Sequence, residues 1–179
     1  VLIGGGSAWA QAAPAAEEQP TEKEEVIIIT GTRTQGRSVA DSPVPVDVLS
    51  AGDIESVPFT DTNDVLKSLV PSFAINRQPI SDGGTFTRPA ELRGLPTDKT
   101  LVLVNSKRRH RAALVEIGGS GTQGPDIATI PASALKSVEV LRDGAAAQYG
   151  SDAIAGVINF ILKDATDGFS VTAQTDQFG

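Results

Sequence analysis

The residues best suited to bind a ligand in this sequence form one basic cluster, KRRHR, at residues 107–111. Three of its side chains, Arg108, His110 and Arg111, bring several hydrogen-bond donors into one short loop. Arginine is suited to bidentate capture of a carboxylate or a phosphate. The cluster therefore predicts a binding site for an anionic or polyhydroxylated ligand. A solvated loop without a ligand is an equally good interpretation.

Composition limits the other kinds of chemistry. The 179-residue chain has a net charge of −7, no cysteine and one histidine. A nucleic-acid-binding surface needs clustered excess positive charge, so we predict no nucleic-acid partner. Disulfides and thiolate metal sites are excluded, and a multi-histidine site is not expected. No nucleophile stands with a base and an orienting acid, so we predict no enzymatic activity, no catalytic residues, no metal and no cofactor.

A strand–turn–strand pattern at residues 130–163 predicts the centre of the fold. Residues 136–142 alternate in polarity, which is typical of a β-strand. One predicted face carries Val138, Val140 and Arg142, and the other carries Ser137, Glu139 and Leu141. Residues 145–149 predict a short helical turn stopped by Gly150. The apolar run at residues 157–162 predicts a buried strand, interrupted only by Asn159.

Two helices are predicted upstream. Residues 42–49 open the folded part as an edge strand, because two prolines suit an edge. Ser50 is a plausible N-cap for a short helix. Residues 62–69 have apolar side chains at helical spacing, and Pro71 ends that helix.

A fully buried strand is predicted at residues 100–104, which are continuously apolar after the first position. Asn105 and Ser106 follow it and predict a tight turn. Asn-Gly is the pair that suits a hairpin turn with positive φ at both central residues. Ser106 in place of glycine would cost about 1 kcal/mol there, so the sequence leaves the turn type open.

The N-terminal segment divides into three parts. Residues 1–10 are small and apolar and end in Ala-Trp-Ala, which predicts the tail of a secretory signal peptide. Residues 11–25 are rich in Ala, Pro and Glu, and we expect them to be disordered. Residues 26–30, VIIIT, are apolar and β-branched. They predict an unpaired strand that can add to the sheet edge of another protein.

The last residues show a second alternating pattern. Residues 169–175 alternate strictly between apolar and polar side chains. This pattern is typical of a transmembrane β-strand, with apolar side chains toward lipid and polar ones toward the lumen. An ordinary sheet strand is the alternative.

Several of these motifs together resemble one known family. The run VEVLRDGAAAQYGSDAIAGVINFILK at residues 138–163 is similar to the end of the plug domain of TonB-dependent outer-membrane receptors, where the pattern is roughly IEVLRGPASALYGSGAIGGVINIITK. ELRGL at residues 91–95 resembles the arginine-glycine motif of that domain. EEVIIITGTR at residues 24–33 stands where these receptors carry the TonB box.

The resemblance implies an α+β fold and an order of segments. The fold would be a small plug domain with a mixed β-sheet and short helices, normally lodged inside a 22-stranded transmembrane β-barrel. Only the first barrel strand would be present in this chain. The expected segments are a signal-peptide remnant at 1–10, a disordered acidic linker at 11–25, a TonB box at 26–31, the plug at 38–164 and the start of the barrel at 168–179.

Three groups of site residues follow. The resemblance implies TonB binding by Glu25, Val26, Ile27, Ile28, Ile29 and Thr30. Charged residues in otherwise apolar strands must be paired. We therefore expect Arg93, Glu139 and Arg142 to form a charge network between plug and barrel. The resemblance implies that the two arginines meet barrel carboxylates. The plugs of this family present their apical loops toward the outside. The resemblance therefore implies that Arg77 and Gln78 also contact the ligand.

The implied function is energised uptake of a scarce ligand across the outer membrane by a transporter that is not an enzyme. Ferric siderophores, cobalamin and oligosaccharides are the ligand classes. The partners would be TonB with ExbB and ExbD, and the TonB box would lie in the periplasm. The alternative is a freestanding periplasmic plug-like module that binds a ligand.

Overall fold

The structure, a computed structural model, describes residues 27–28, 30, 37–38, 45–75, 86–116, 121–143 and 145–164. The predicted signal-peptide remnant, acidic linker and first barrel strand lie outside these residues. No helix in the described ranges is both long enough and apolar enough to cross a membrane.

The described chain is built from short β-strands and short α-helices. In chain order they are β1 (Ile27–Ile28), β2 (Arg37–Ser38), β3 (Val46–Ser50), α1 (Ala51–Glu55), α2 (Thr62–Leu69), β4 (Phe73–Ala74), β5 (Glu91–Leu92), β6 (Thr100–Val104), β7 (Lys107–Arg108), β8 (Leu135–Leu141), α3 (Ala145–Tyr149) and β9 (Gly156–Leu162).

A five-stranded mixed sheet forms the centre of the fold. Its strands lie in the order β3-β8-β9-β6-β7. β6 and β9 run parallel, and every other neighbouring pair in this sheet is antiparallel. The expectation of a small α+β domain with a mixed sheet is confirmed.

The sheet is covered on both faces, as the alternation in β8 predicts. Val138, Val140, Ile158 and Phe160 pack on one side, where α2 contributes Val65 and Leu66. A smaller cluster on the other side contains Leu101, Leu103, Leu141 and Val157. Side chains alternate along a strand, so Glu139 and Asn159 belong to the side of the smaller cluster. They are register partners on β8 and β9.

The predicted helices form, α1 with the predicted Ser50 cap and α2 with a cap that was not predicted. Ser50 accepts a hydrogen bond from the Asp53 backbone N–H, and the Asp53 carboxylate accepts one from the Ser50 backbone, which makes a capping box for α1. Asp61 caps α2 by accepting a hydrogen bond from the Asn63 backbone at 2.9 Å. Gly150 follows α3 at a φ of 95°, a conformation that favours glycine.

The turn between β6 and β7 has the geometry of a hairpin turn despite its serine. Asn105 has a φ of 47° and Ser106 a φ of 64°. Two hydrogen bonds fasten the turn to β9: the Asn105 Oδ1 accepts from the Leu162 N–H at 2.9 Å, and the Ser106 N–H donates to the Asn159 Oδ1 at 3.0 Å. These bonds offset the strain of serine at positive φ.

The apolar N-terminal strand is not unpaired. Ile27 lies opposite Ser38 and Ile28 opposite Arg37 in an antiparallel two-stranded sheet. The expectation of a free strand is wrong in this respect, because the chain folds back and fills one edge of β1 with its own backbone.

Candidate functional site

The basic cluster lies beside a cleft of about 210 Å³. β6, the turn and β7 carry the cluster to this position, because the hairpin fastens it to the edge of the central sheet. Arg108, Arg109, His110 and Arg111 line the cleft together with Asp98, Asp152 and several threonine and glutamine side chains. The predicted ligand residues Arg108, His110 and Arg111 therefore lie together. Arg77 and Gln78 lie outside the described residues.

Arg108 is engaged by the protein itself. Its guanidinium forms an ion pair with Asp152 and donates to the Tyr149 carbonyl oxygen. The hydrogen bond from Arg108 is the main reason that the pKa of the Asp152 carboxyl is lowered, and the charge of Arg111 adds to it. Arg108 thus joins β7 to the α3 region and is held in place.

Arg109 also lines the cleft, although it was not among the predicted ligand contacts. It is half-buried in the cleft. Its Nη2 donates to the Thr129 Oγ1 at 2.7 Å, and its backbone N–H donates to the Val102 carbonyl. The signal was present in the KRRHR run, but the partner, Thr129, is 20 residues away and belongs to no predicted element.

Some of the charged side chains around the cleft form ion pairs within the described residues, and others do not. Asp152 is paired with Arg108, and Asp98 is paired with Lys99 at 2.7 Å. Within the part of the chain that the structure describes, Arg109 and Arg111 make no ion pair. The cleft therefore offers two guanidinium groups to a visiting anion, and Arg can donate two parallel hydrogen bonds to a carboxylate or a phosphate.

The arginines of the predicted plug–barrel charge network have partners within this chain. Arg93 pairs with Asp143 at 2.9 Å and donates to the Arg142 carbonyl oxygen at 3.0 Å. Arg142 pairs with Asp47 at 2.8 Å. Both arginines thus pair with carboxylates of this chain, although the buried Arg142 Nε has no hydrogen-bond partner among the described residues. Their contact with a barrel stays a prediction.

Glu139 lies apart from both arginines in this pairing scheme. Its side chain is 2% exposed. It accepts a hydrogen bond from the Thr30 N–H at 2.8 Å, another from the Thr30 hydroxyl, and a longer one from the Asn159 Nδ2 at 3.4 Å. These donors all belong to this chain, and the place of Glu139 in a network between plug and barrel stays a prediction. The alternation of β8 points it at the smaller cluster, whereas Arg142 lies beyond the last residue of the strand.

The predicted TonB-binding segment is only partly described. Ile27 and Ile28 form β1, Thr30 is buried, and Glu25, Val26 and Ile29 lie outside the described residues. A group of three or more acidic or histidine side chains that could hold a metal is not present in the described ranges.

Comparison with known proteins identifies the family of this chain. A family model described as "TonB-dependent Receptor Plug Domain" matches residues 38–157. The chain is 32% identical over 152 residues to the iron-regulated outer membrane virulence protein of Vibrio cholerae, with 84% of this chain and 22% of that protein covered. The chain thus spans about a fifth of the length of that relative.

Two solved structures are similar. The siderophore receptor PirA of Acinetobacter baumannii is 33% identical, with a TM-score of 0.50 over 68% of this chain and 17% of that one. An enterobactin-bound variant of the ferric enterobactin receptor of Pseudomonas aeruginosa is 30% identical, with a TM-score of 0.51 over 70% of this chain and 18% of that one.

Proposed function

This chain belongs to the TonB-dependent receptor plug-domain family, and from that premise we propose that it is the plug of an outer-membrane receptor for a ferric siderophore. TonB would bind residues 25–30 by strand addition and, with ExbB and ExbD, would transmit the energy of the inner-membrane proton gradient. The observation that carries the proposal is the family match over residues 38–157. The names of the relatives, an iron-regulated outer membrane protein and siderophore receptors, support the siderophore class.

The cleft supports an anionic ligand. Ferric ions bound by three catecholates form a complex with net negative charge, whereas three hydroxamates give a neutral complex. Arg109 and Arg111, which lack carboxylate partners among the described residues, would attract the first kind more strongly than the second. Their attraction is strengthened where the barrel and the ligand exclude water.

The test neutralises these two charges and leaves the ion pair of Arg108 intact. In the intact receptor, Arg109→Gln together with Arg111→Gln should weaken binding of a ferric tris-catecholate about tenfold, which is ~1.4 kcal/mol. Binding of a neutral ferric tris-hydroxamate, if it occurs, should change much less. Titration with each complex measures both effects.

Lys67→Gln is the matched control, because it removes one exposed positive charge that does not line the cleft. It should leave both affinities unchanged. Equal affinity of the double variant and the wild type for the tris-catecholate would assign the cluster to a solvated loop. Iron-siderophore uptake that persists in cells without functional TonB would contradict the energised transport.

A further inference from the structure

Two buried oxygen atoms in residues that line the cleft have no hydrogen-bond partner among the described residues. They are the Thr100 Oγ1 and the Asp98 Oδ1. Thr100 as a whole is 2% exposed. A buried polar atom without a partner is unfavourable, and native structures keep few of them. The two atoms therefore indicate that a polar group enters the cleft and bonds to them.

The register of the central sheet explains why the Thr100 hydroxyl is left without a partner. Thr100 is the first residue of β6, and its register partner on β9 is Gly156. A glycine has no side chain with which the hydroxyl could bond across the strand pair. The next residue of β6 on the same face, Val102, is apolar. The neighbouring sheet positions thus offer the hydroxyl no polar side chain.

The Asp98 carboxylate is held through one of its oxygens. Its Oδ2 forms an ion pair with the Lys99 Nζ at 2.7 Å, whereas no donor in the described ranges reaches its Oδ1. An ionised carboxylate accepts hydrogen bonds and cannot donate them. The Asp98 Oδ1 therefore requires an O–H or N–H donor from the molecule in the cleft.

Close packing around Gly124 fixes one wall of the cleft. A β-carbon at this position would lie 2.4 Å from the Pro89 Cβ and 2.9 Å from the Thr97 Cβ, so no larger residue fits without displacing them. Thr97 begins the 3₁₀ turn that carries Asp98. The two chain neighbours of Gly124 line the cleft. This wall and the turn are thus packed directly against each other, which holds the cleft in shape before a ligand arrives.

We propose that the cleft binds a small hydroxylated carboxylate, whose hydroxyl bonds to Thr100 and Asp98 and whose negative charge faces Arg109 and Arg111. A hydroxyl both donates and accepts, so it suits a carboxylate oxygen as well as another hydroxyl. The guanidinium groups suit the carboxylate. The cleft volume of about 210 Å³ is below the roughly 300–1,000 Å³ of pockets for drug-sized ligands, which favours a small group.

An aminocarboxylate is the competing ligand class, because an ammonium group would also donate to the Asp98 Oδ1. The two ion pairs beside the cleft are each neutral, which leaves the charges of Arg109 and Arg111 in excess within the described part of the chain. A ligand with greater net negative charge is therefore favoured over a zwitterionic group. This inference deepens the proposed function and rests on it, because it takes the cleft as a ligand site of the receptor.

Titration of the intact receptor with tartronate and malonate tests the proposal, because these two dianions differ by one hydroxyl. The wild type should bind tartronate about tenfold more tightly than malonate. Thr100→Val keeps the shape of the side chain and removes its hydroxyl, so the ratio of the two affinities should fall at least about threefold. The affinity for malonate should stay unchanged in this variant.

Two further variants separate the hydrogen bond from charge and from side-chain chemistry in general. Asp98→Asn removes a negative charge, so both dianions should bind more tightly. Their affinity ratio should nevertheless fall, because an amide oxygen accepts a weaker hydrogen bond than a carboxylate. Thr60→Val is the matched control for the threonine variant, because Thr60 is exposed and does not line the cleft. It should leave both affinities unchanged.

Exchange protection of the β6 peptide shows whether Thr100→Val disturbs the fold. The protection should not fall, because the hydroxyl has no bond to lose among the described residues. Lower protection would overturn the assignment of the hydroxyl to the ligand. Equal wild-type affinities for the two dianions, or an unchanged ratio in Thr100→Val, would overturn the hydroxyl requirement. Tighter binding of aminomalonate than of tartronate would also overturn it, in favour of an aminocarboxylate.

Failure of this proposal can be distinguished from failure of the proposed function. If the wild type binds neither dianion, the hydroxycarboxylate site is wrong, and the tris-catecholate titration and TonB-dependent uptake still decide the transport function. If the wild type prefers tartronate but uptake does not depend on TonB, the site is supported and the energised transport is refuted.

Discussion

Asn105 and Ser106 have a strained backbone conformation that is stabilised by the hydrogen bonds that they form. Both have positive φ, at 47° and 64°. Asn tolerates this region better than most residues, whereas Ser does not. The Asn105 side chain also accepts a hydrogen bond from the Leu162 N–H, whereas Ser106 bonds to the described residues through its backbone N–H. The two residues should therefore respond in opposite ways to replacement by glycine.

We expect Ser106→Gly to stabilise the hairpin by about 0.5–1 kcal/mol, since glycine adopts positive φ without strain and keeps the N–H. Asn105→Gly should destabilise it, because the bond to the Leu162 N–H is lost. Exchange protection of the peptide that spans the turn, measured in the intact receptor, distinguishes the two. Faster exchange in Ser106→Gly would mean that the serine side chain contributes a bond of its own.

At the scale of elements, β1 is a short strand with two competing partners. Its backbone pairs with Arg37–Ser38 within this chain, and the proposed function requires the same segment to pair with TonB. Strand addition depends on backbone donors, so a backbone substitution tests it directly.

Ile28→Pro removes one backbone donor and restricts φ, so strand addition should be blocked. We expect the affinity for the TonB C-terminal domain and the uptake of iron-siderophore to fall at least about tenfold. Ile28→Val is the matched control, because it keeps the N–H and the β-branched side chain, and it should behave like the wild type. Unchanged binding and uptake in Ile28→Pro would exclude backbone pairing at this residue.

For the whole molecule, stability should vary with pH, because folding raises the pKa of some carboxyls and lowers the pKa of others. Burial raises the pKa of Glu91, and burial together with the nearby charge of Glu91 raises the pKa of Glu116. Hydrogen bonds from the Ser50 side chain and backbone lower the pKa of Asp53. An acid with a raised pKa binds its proton more tightly in the folded chain. Its contribution favours folding below the ordinary value of 4.5 and is lost as pH rises through the raised pKa.

Glu116→Gln should therefore reduce the loss of stability between pH 4.5 and neutrality. Its gain at neutral pH should stay below about 1 kcal/mol, since the group is partly exposed to solvent. Asp53→Asn should have the opposite effect and lose stability at neutral pH, because the lowered pKa contributes above the ordinary value of 3.8. Exchange protection of each local peptide, corrected for the intrinsic rate, measures both. A Glu116→Gln profile parallel to the wild type would show that this carboxyl does not contribute.

The sequence by itself determined most of the local structure of the described chain. α2 at Thr62–Leu69 and β6 at Thr100–Val104 have the predicted bounds. The alternation in β8 predicted which side chains share a face, and the run at residues 138–163 indicated the family. These features depend on residues within one or two turns of each other, so periodicity, caps and turn residues contain the required information.

Only the tertiary structure decided the partners of the charged and polar side chains. The sequence predicted that Glu139 must be paired, but its donors come from Thr30 and Asn159, at separations of 109 and 20 residues. Arg108 likewise meets Asp152 across 44 residues, and Arg109 donates to Thr129 across 20 residues. Such pairs depend on which strands become neighbours when the sheet closes. Local sequence patterns do not determine that order, because each donor could form its hydrogen bond with many acceptors until the fold selects one.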